Sequence, residues 1–100
     1  MLNIESNRNA SELTVALGGR LDTNTAPELE KALSAALPGV NALVVDMEKL
    51  DYISSAGLRV LLAAQKTMNK QGEMKVIRVN ETIMEIFEVT GFSDILTIEA

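Results

Sequence analysis

Apolar residues alternate with polar ones at Leu2 and Ile4 and again at Leu13, Val15 and Leu17, the period-two signature of strands with one buried face. Asn7-Arg8-Asn9-Ala10 joins the two runs, so an N-terminal hairpin is expected. Gly18-Gly19 breaks the alternation. Thr25-Ala26-Pro27-Glu28 then has the composition of a helix start: a threonine cap, a proline in the first turn and a glutamate that reaches back. Leu29, Leu33, Ala36 and Leu37 recur at helical spacing until Pro38-Gly39 ends the helix. Residues 42–45 form a continuous apolar run of the kind buried on both faces of a sheet, which predicts the central strand.

After a polar connection the period changes again. Leu58, Leu61, Leu62, Gln65 and Met68 predict a helix over about residues 55–70, with Lys66 and Lys70 near its negative end and Gly72 as its stop. Residues 73–79 return as a strand, and a strand-helix-strand of this length implies a right-handed parallel crossover. Asn80 caps a third helix whose buried stripe is Ile83, Met84, Ile86 and Phe87. Gly91 closes it, and residues 95–98 suggest a last short strand. The expectation is one α/β domain over residues 1–100: a mixed sheet of about five strands flanked by helices, with parallel crossovers after the hairpin.

Composition narrows the chemistry. At 100 residues and 47% hydrophobic, the chain has room for one domain with a modest core. Only 3% of its residues are aromatic, so Leu, Ile, Val, Met and Ala must build that core, and few rings are left to stack on bases. A net charge of -5 repels phosphate backbones and argues against direct nucleic-acid binding or a basic membrane-binding patch. There is no Cys, hence no disulfide framework, thiol nucleophile or zinc-thiolate site. There is no His either, which excludes Ser-His-Asp triads, and no Gly-x-Ser-x-Gly elbow surrounds the serines, so an enzyme is not expected. Asp46, Glu48 and Asp51 fit no calcium loop and read as solvated charges; no metal or cofactor is implied. The first residues lack signal-peptide blocks and no apolar run reaches the ~20 residues that cross a bilayer. A cytoplasmic chain without membrane insertion is the expectation.

The most informative stretch is Ile53-Ser54-Ser55-Ala56-Gly57-Leu58, two hydroxyls and a glycine where a strand region gives way to a helix. A helix start offers unpaired N–H groups and the positive end of a dipole, a favourable setting for an added phosphoryl group. Ser54 and Ser55 are therefore candidate switch residues, although simple capping also places serines here. The order of elements also suits a response-regulator receiver with Asp46 as phosphate acceptor. Receivers need a further acidic pair and a late lysine, and neither is evident; a carboxylate satisfied by turn amides is the better account of Asp46.

Residues 19–27, Gly-Arg-Leu-Asp-Thr-Asn-Thr-Ala-Pro, the strand Leu43-Val44-Val45-Asp46-Met47, the block Leu50-Asp51-Tyr52-Ile53-Ser54-Ser55-Ala56-Gly57-Leu58 and Val89-Thr90-Gly91-Phe92 together resemble the anti-sigma factor antagonist family, built on the STAS domain. The resemblance implies a bacterial, cytoplasmic switch protein. Unphosphorylated, such a protein binds an anti-sigma factor and frees the sigma factor; the anti-sigma factor is also its ATP-dependent serine kinase, and a phosphatase resets it. The family's phosphoacceptor matches Ser55, two residues before Gly57. Ser54 is the alternative, because several members carry aspartate there. Asp22 matches a characteristic acidic position. The implied partner surface comprises Asp22, Thr23, Asn24, Ser54, Ser55, Ala56, Gly57 and Arg59, with Gly57 admitting a close approach. A second reading is a STAS subunit that never receives phosphate and docks on a membrane transporter ATPase or a large signalling assembly. Longer relatives add a C-terminal helix, so with the chain ending at Ala100 part of the sheet is expected to be less covered. A phosphoserine adds about -1.5 to -2 charges, partly met by helix-start amides and partly opposed by Asp22 and Asp51; the fold is expected to survive it, and binding to change without a conformational change.

Overall fold

The computed structural model describes residues 1–99 and arranges them as a five-stranded sheet, in the order β1-β2-β3-β4-β5, with three α-helices. β1 (Leu2–Asn9) and β2 (Glu12–Leu21) form the antiparallel hairpin, paired from Leu2↔Gly19 to Asn9↔Glu12. The hairpin is tighter than the polar stretch at residues 7–10 implied: it turns at Ala10 and Ser11, with Ala10 in the left-handed region at φ 57°.

Gly18-Gly19 does not end β2, which runs on to Leu21. Pairing with β1 on one side and β3 on the other outweighs the weak strand preference of glycine. Register shifts flank the two glycines, and Gly19 lies at φ +87°, where a Cβ would overlap the Met1 carbonyl that accepts from Arg20 N at 3.1 Å.

β3 (Ala42–Ile53) absorbs most of the stretch read as a polar connection, because it stays paired with β2 as far as Leu21↔Ile53. Its buried apolar positions, Leu43, Val45, Met47, Leu50 and Ile53, skip a beat after Met47, which hides the strand from a period-two reading. Nor is residues 42–45 buried on both faces. Leu43 and Val45 are in the core, whereas Ala42 and Val44 are half-buried.

The reason lies in the connections. α1 (Ala26–Ala36), α2 (Ser55–Gln71) and α3 (Glu81–Thr90) each link adjacent parallel strands, stepping across the sheet in one direction. With right-handed crossovers all three helices stack on the same face. The other face carries Asn3, Glu5, Asp46, Lys75 and Arg78.

β4 (Glu73–Ile77) stops two residues earlier than expected because Arg78, at φ 56°, turns the chain out of the sheet. The last strand is also shorter: a 3-10 turn at Phe92–Asp94 follows α3, and β5 (Ile98–Glu99) pairs only with Val76 and Ile77.

The expected stripes reach the core in part, and Ala36, Leu62, Met84 and Ile86 are only half-buried. Leu29 and Leu33 of α1, Leu58, Leu61 and Met68 of α2, and Ile83 and Phe87 of α3 are buried against the sheet. Gly91 closes α3 in the left-handed conformation at φ 82°. Gly72 ends α2 for a different reason: its backbone is extended, but a Cβ would overlap the Asn41 carbonyl. Two distant side chains hold the end of α1. Arg8 donates to Ala36 O and Pro38 O at 3.4 Å, and Gln71 donates to Leu37 O at 2.7 Å and Val40 O at 2.5 Å. α1 has no basic residue in its last turn, so Arg8 supplies the cation that its negative end favours.

Candidate functional site

β2 and β3 end side by side, and Ser54 N donates to Leu21 O at 2.9 Å just beyond their last pair. The loop after β2 and the start of α2 therefore leave the sheet together. Asp22, which follows Leu21, leaves the sheet next to the point where Ser54 does. Thr23, Ala56 and Arg59 come together across the loop and helix, lining a shallow cavity of about 220 Å³ with Pro27, Glu30 and Val60.

The loop is built around Asp22. Its Oδ1 accepts from Asn24 N at 3.0 Å and Thr25 N at 3.1 Å. Thr25 occupies the cap position of α1, but its hydroxyl does not cap; it accepts from Asp22 N at 2.8 Å and donates to Arg20 O at 2.9 Å. The capping box read from Thr25 and Glu28 is thus replaced by an aspartate turn. Burial pushes the Asp22 carboxyl up, but the Thr25 and Asn24 amides, the Thr25 hydroxyl and the Arg20 guanidinium outweigh it, and Asp22 titrates below its ordinary 3.8.

The two serines have separate duties. Ser54 is the N-cap, with extended backbone and an Oγ that accepts from Gly57 N at 3.4 Å. Ser55 is the first helical residue and exposed, and its hydroxyl makes no hydrogen bond among the described residues. The Ser55 and Ala56 amides have no intrahelical acceptor, and α2 has no acidic residue in its first turn. The positive end of this helix thus faces solvent beside a free hydroxyl.

Gly57 faces inward. A Cβ there would lie 2.7 Å from Leu21 Cγ and 2.9 Å from Ile53 Cγ1, so what its missing side chain admits is the protein's own strand ends. Thr23, Asn24 and Arg59 are exposed, Asp22, Ser54 and Ala56 half-buried.

Sequence reasoning missed Arg20 and Tyr52. They are register partners at the ends of β2 and β3, with the guanidinium 4.4 Å above the ring centre and Arg20 Nε 3.7 Å from Asp22 Oδ2. Only strand register could have found this pair, and periodicity does not supply it.

Asp46 lies elsewhere, on the helix-free face. Arg78 grips it with Nε and Nη2, and Glu48 N donates to its Oδ1 at 3.0 Å. Arg78 Nη1 also reaches Glu48 at 3.2 Å. Desolvation raises the Asp46 carboxyl, yet the Arg78 hydrogen bonds, the Glu48 amide and the charges of Arg78 and Lys49 bring it below its ordinary 3.8; Asp46 in turn raises Arg78. Asp46 and Glu48 are therefore engaged by a cation rather than simply solvated, and only Asp51 of that trio faces water unpaired among the described residues. A carboxylate so occupied is a poor phosphate acceptor.

A single mixed sheet with its helices on one face and a serine-led helix beside an aspartate loop defines the class as a STAS-like domain. The family described as "Mlab, STAS domain" matches residues 4–97, and the chain belongs to the STAS domain family. An anti-sigma-B factor antagonist of Staphylococcus aureus is 33% identical over 97 residues, 95% of this chain and 90% of that protein. An anti-sigma factor antagonist from Mycobacterium paratuberculosis shares the fold with a TM-score of 0.90 at 23% identity, over 99% of this chain and 86% of that one. SpoIIAA shares it at TM-score 0.75 in a form described as unphosphorylated (17% identical; 98% of this chain, 86% of that one) and 0.76 in its phosphorylated form from Bacillus (16%; 98% and 92%). The relatives are named as antagonists, which are regulatory binding proteins rather than enzymes.

Proposed function

We propose that this chain is an anti-sigma factor antagonist whose grip on an anti-sigma factor is controlled by phosphorylation of Ser55. The observation that carries the reading is the division of labour at the start of α2: Ser54 is committed to the cap, while Ser55 is exposed with an unengaged hydroxyl beside free amides. A phosphoryl group on Ser55 meets those amides and the positive end of the helix, so it costs the fold little. A partner packed over Asp22, Thr23, Asn24, Ala56 and Arg59 meets new negative charge in a desolvated contact instead. A loss of ~3 kcal/mol lowers affinity more than a hundredfold. SpoIIAA has the same fold in both its forms, which supports a switch that acts through surface charge. The partner doubles as the serine kinase, a phosphatase resets the chain, and the setting is the bacterial cytoplasm; no helix among the described residues is long and apolar enough to cross a membrane.

The test is incubation with the purified anti-sigma factor and ATP, read by intact-mass spectrometry and calorimetry. Wild type and Ser54→Ala take one phosphate, Ser55→Ala takes none, and Ser55→Asp binds more than a hundredfold more weakly. Phosphate on Asp46, or Ser55→Ala that functions unchanged while the chain co-purifies with a transporter ATPase, overturns the reading.

A further inference from the structure

We infer that Arg20, stacked on Tyr52 at the ends of β2 and β3, is a specificity-determining contact of the partner surface, and that its occupant is a carboxylate side chain of the anti-sigma factor. This rests on the function proposed above. Leu21 and Ile53 pack where a Gly57 side chain would stand, under α2, so their strand neighbours Arg20 and Tyr52 stand on the opposite side of the same strand ends. The rim that carries exposed Ser55 on its helix side therefore carries an exposed guanidinium on its helix-free side. Only one residue separates it from the Leu21 carbonyl that accepts from Ser54 N.

Two guanidiniums on this face show what Arg20 lacks. Arg78 is fully engaged: its Nε and Nη2 hold Asp46 and its Nη1 reaches Glu48 at 3.2 Å, so two carboxylates share one planar fork. Arg20 has one carboxylate, and holds it loosely. Asp22 Oδ1 is taken by the Asn24 and Thr25 amides, while Oδ2 lies 3.7 Å from Arg20 Nε, beyond hydrogen-bond reach. No side-chain N–H of Arg20 donates a hydrogen bond among the described residues.

The fork is nevertheless held in place. The Tyr52 ring supports it from below, 4.4 Å from ring centre to guanidinium, and Asp22 attracts its Nε edge. Little side-chain freedom is left to lose when a ligand arrives, and its outer nitrogens stand without a partner. Charge selects that ligand. An apolar or cationic group laid here would strand those donors away from water, whereas a carboxylate takes two parallel N–H bonds at once. A second copy of this chain brings the same guanidinium and a net charge of -5, which opposes self-association.

The full-length chain is titrated with the purified anti-sigma factor by calorimetry. Arg20→Glu is expected to weaken binding about tenfold or more. Arg20→Lys, which keeps the charge and loses the planar fork, and Tyr52→Leu, which removes the supporting ring, should each weaken it several-fold. Lys66→Glu makes the same change of charge at an exposed position on the far half of α2 and should leave affinity unchanged; circular dichroism checks the fold of every variant. Changing the anti-sigma factor's surface carboxylates one at a time to lysine should find one that restores binding to Arg20→Glu and weakens binding to wild type. Wild-type affinity in Arg20→Glu, or a loss that no such reversal rescues, overturns the contact, and if Ser55→Asp still blocks binding the switch stands. Ser55→Asp that binds like wild type overturns the switch itself. Equal affinity of wild type and Arg20→Glu before phosphorylation, with a difference only after it, assigns the guanidinium to the chain's own phosphoryl group and also overturns the inference.

Discussion

Two helices of this chain start with the same device and reach opposite ends. At α3, extended Asn80 accepts from Ile83 N at 2.9 Å; at α2, extended Ser54 accepts from Gly57 N at 3.4 Å. The first helical residue is Glu81 in one and Ser55 in the other. At the third helical position, fully buried Ile83 plugs the core, whereas Gly57 yields its place to Leu21 and Ile53 from the strand ends. Asn80 also donates to Leu50 O at 2.9 Å, tying the α3 cap to the sheet. α3 therefore carries a permanent charge at its positive end and a cap locked from two sides. α2 carries a hydroxyl that can acquire charge and a cap that leaves it free. One start is complete in the sequence; under the function proposed above, the other is completed by a phosphoryl group.

Replacing Ser55 by Glu copies the α3 arrangement and gives the sharpest break in the comparison. A carboxylate at the first position favours the helix by about 0.3–1 kcal/mol. Ser55→Glu should therefore melt at or slightly above the wild-type temperature while losing more than a hundredfold in affinity for the anti-sigma factor, measured by calorimetry and thermal denaturation side by side.

Filling the third position of α2 comes next. Overpacking Gly57→Ala against Leu21 and Ile53 costs about 1–3 kcal/mol, against roughly 1 kcal/mol gained in helix preference. A net loss is expected, seen as a melting temperature lower by several degrees. An unchanged one shows that the strand ends can move aside.

The caps differ less. Asn80→Ala should cost about 1–2 kcal/mol, since it removes a cap and the donor to Leu50 O, whereas Ser54→Ala, with its longer single bond, should cost about 0.5–1 kcal/mol. Urea denaturation separates the two, and only equal losses would erase the distinction between a locked cap and a loose one.

The smallest effect lies away from both starts. The Asp46 carboxyl is lowered in the folded state, so its contribution is complete above about pH 4 and disappears as pH falls through the depressed value. Stability measured from pH 6 down to pH 3 should fall, and Asp46→Asn should flatten that fall.

What periodicity could show, it showed. The buried centres of the α2 and α3 stripes, the caps Ser54 and Asn80 and the stop at Gly91 are set by residues within a turn or two of one another. The extension of β3 to Ile53, the continuation of β2 through Gly18-Gly19 and the early end of β4 at Arg78 depend on which strand lies alongside. Such neighbours are distant in sequence and leave no local trace. The candidate site divides in the same way: Ser54, Ser55 and Gly57 stand out as a local motif, but only the folded chain assigns Ser54 to the cap and Gly57 to the interior. Arg20 above Tyr52 follows from strand register, and Arg78 on Asp46 from the turn just past the end of β4; neither leaves a trace in periodicity.

The hairpin tip at Ala10 and Ser11 lies at the far end of β2 from Asp22, about 30 Å away for a ten-residue strand. Nearby, Asn41 N donates to Ser11 O and Glu73 N to Asn41 O, stitching together the places where β3 and β4 begin. The molecule thus has a moored end opposite the candidate site. A fluorophore or surface tether attached at the tip would leave the opposite rim facing outward, ready to meet whatever arrives there.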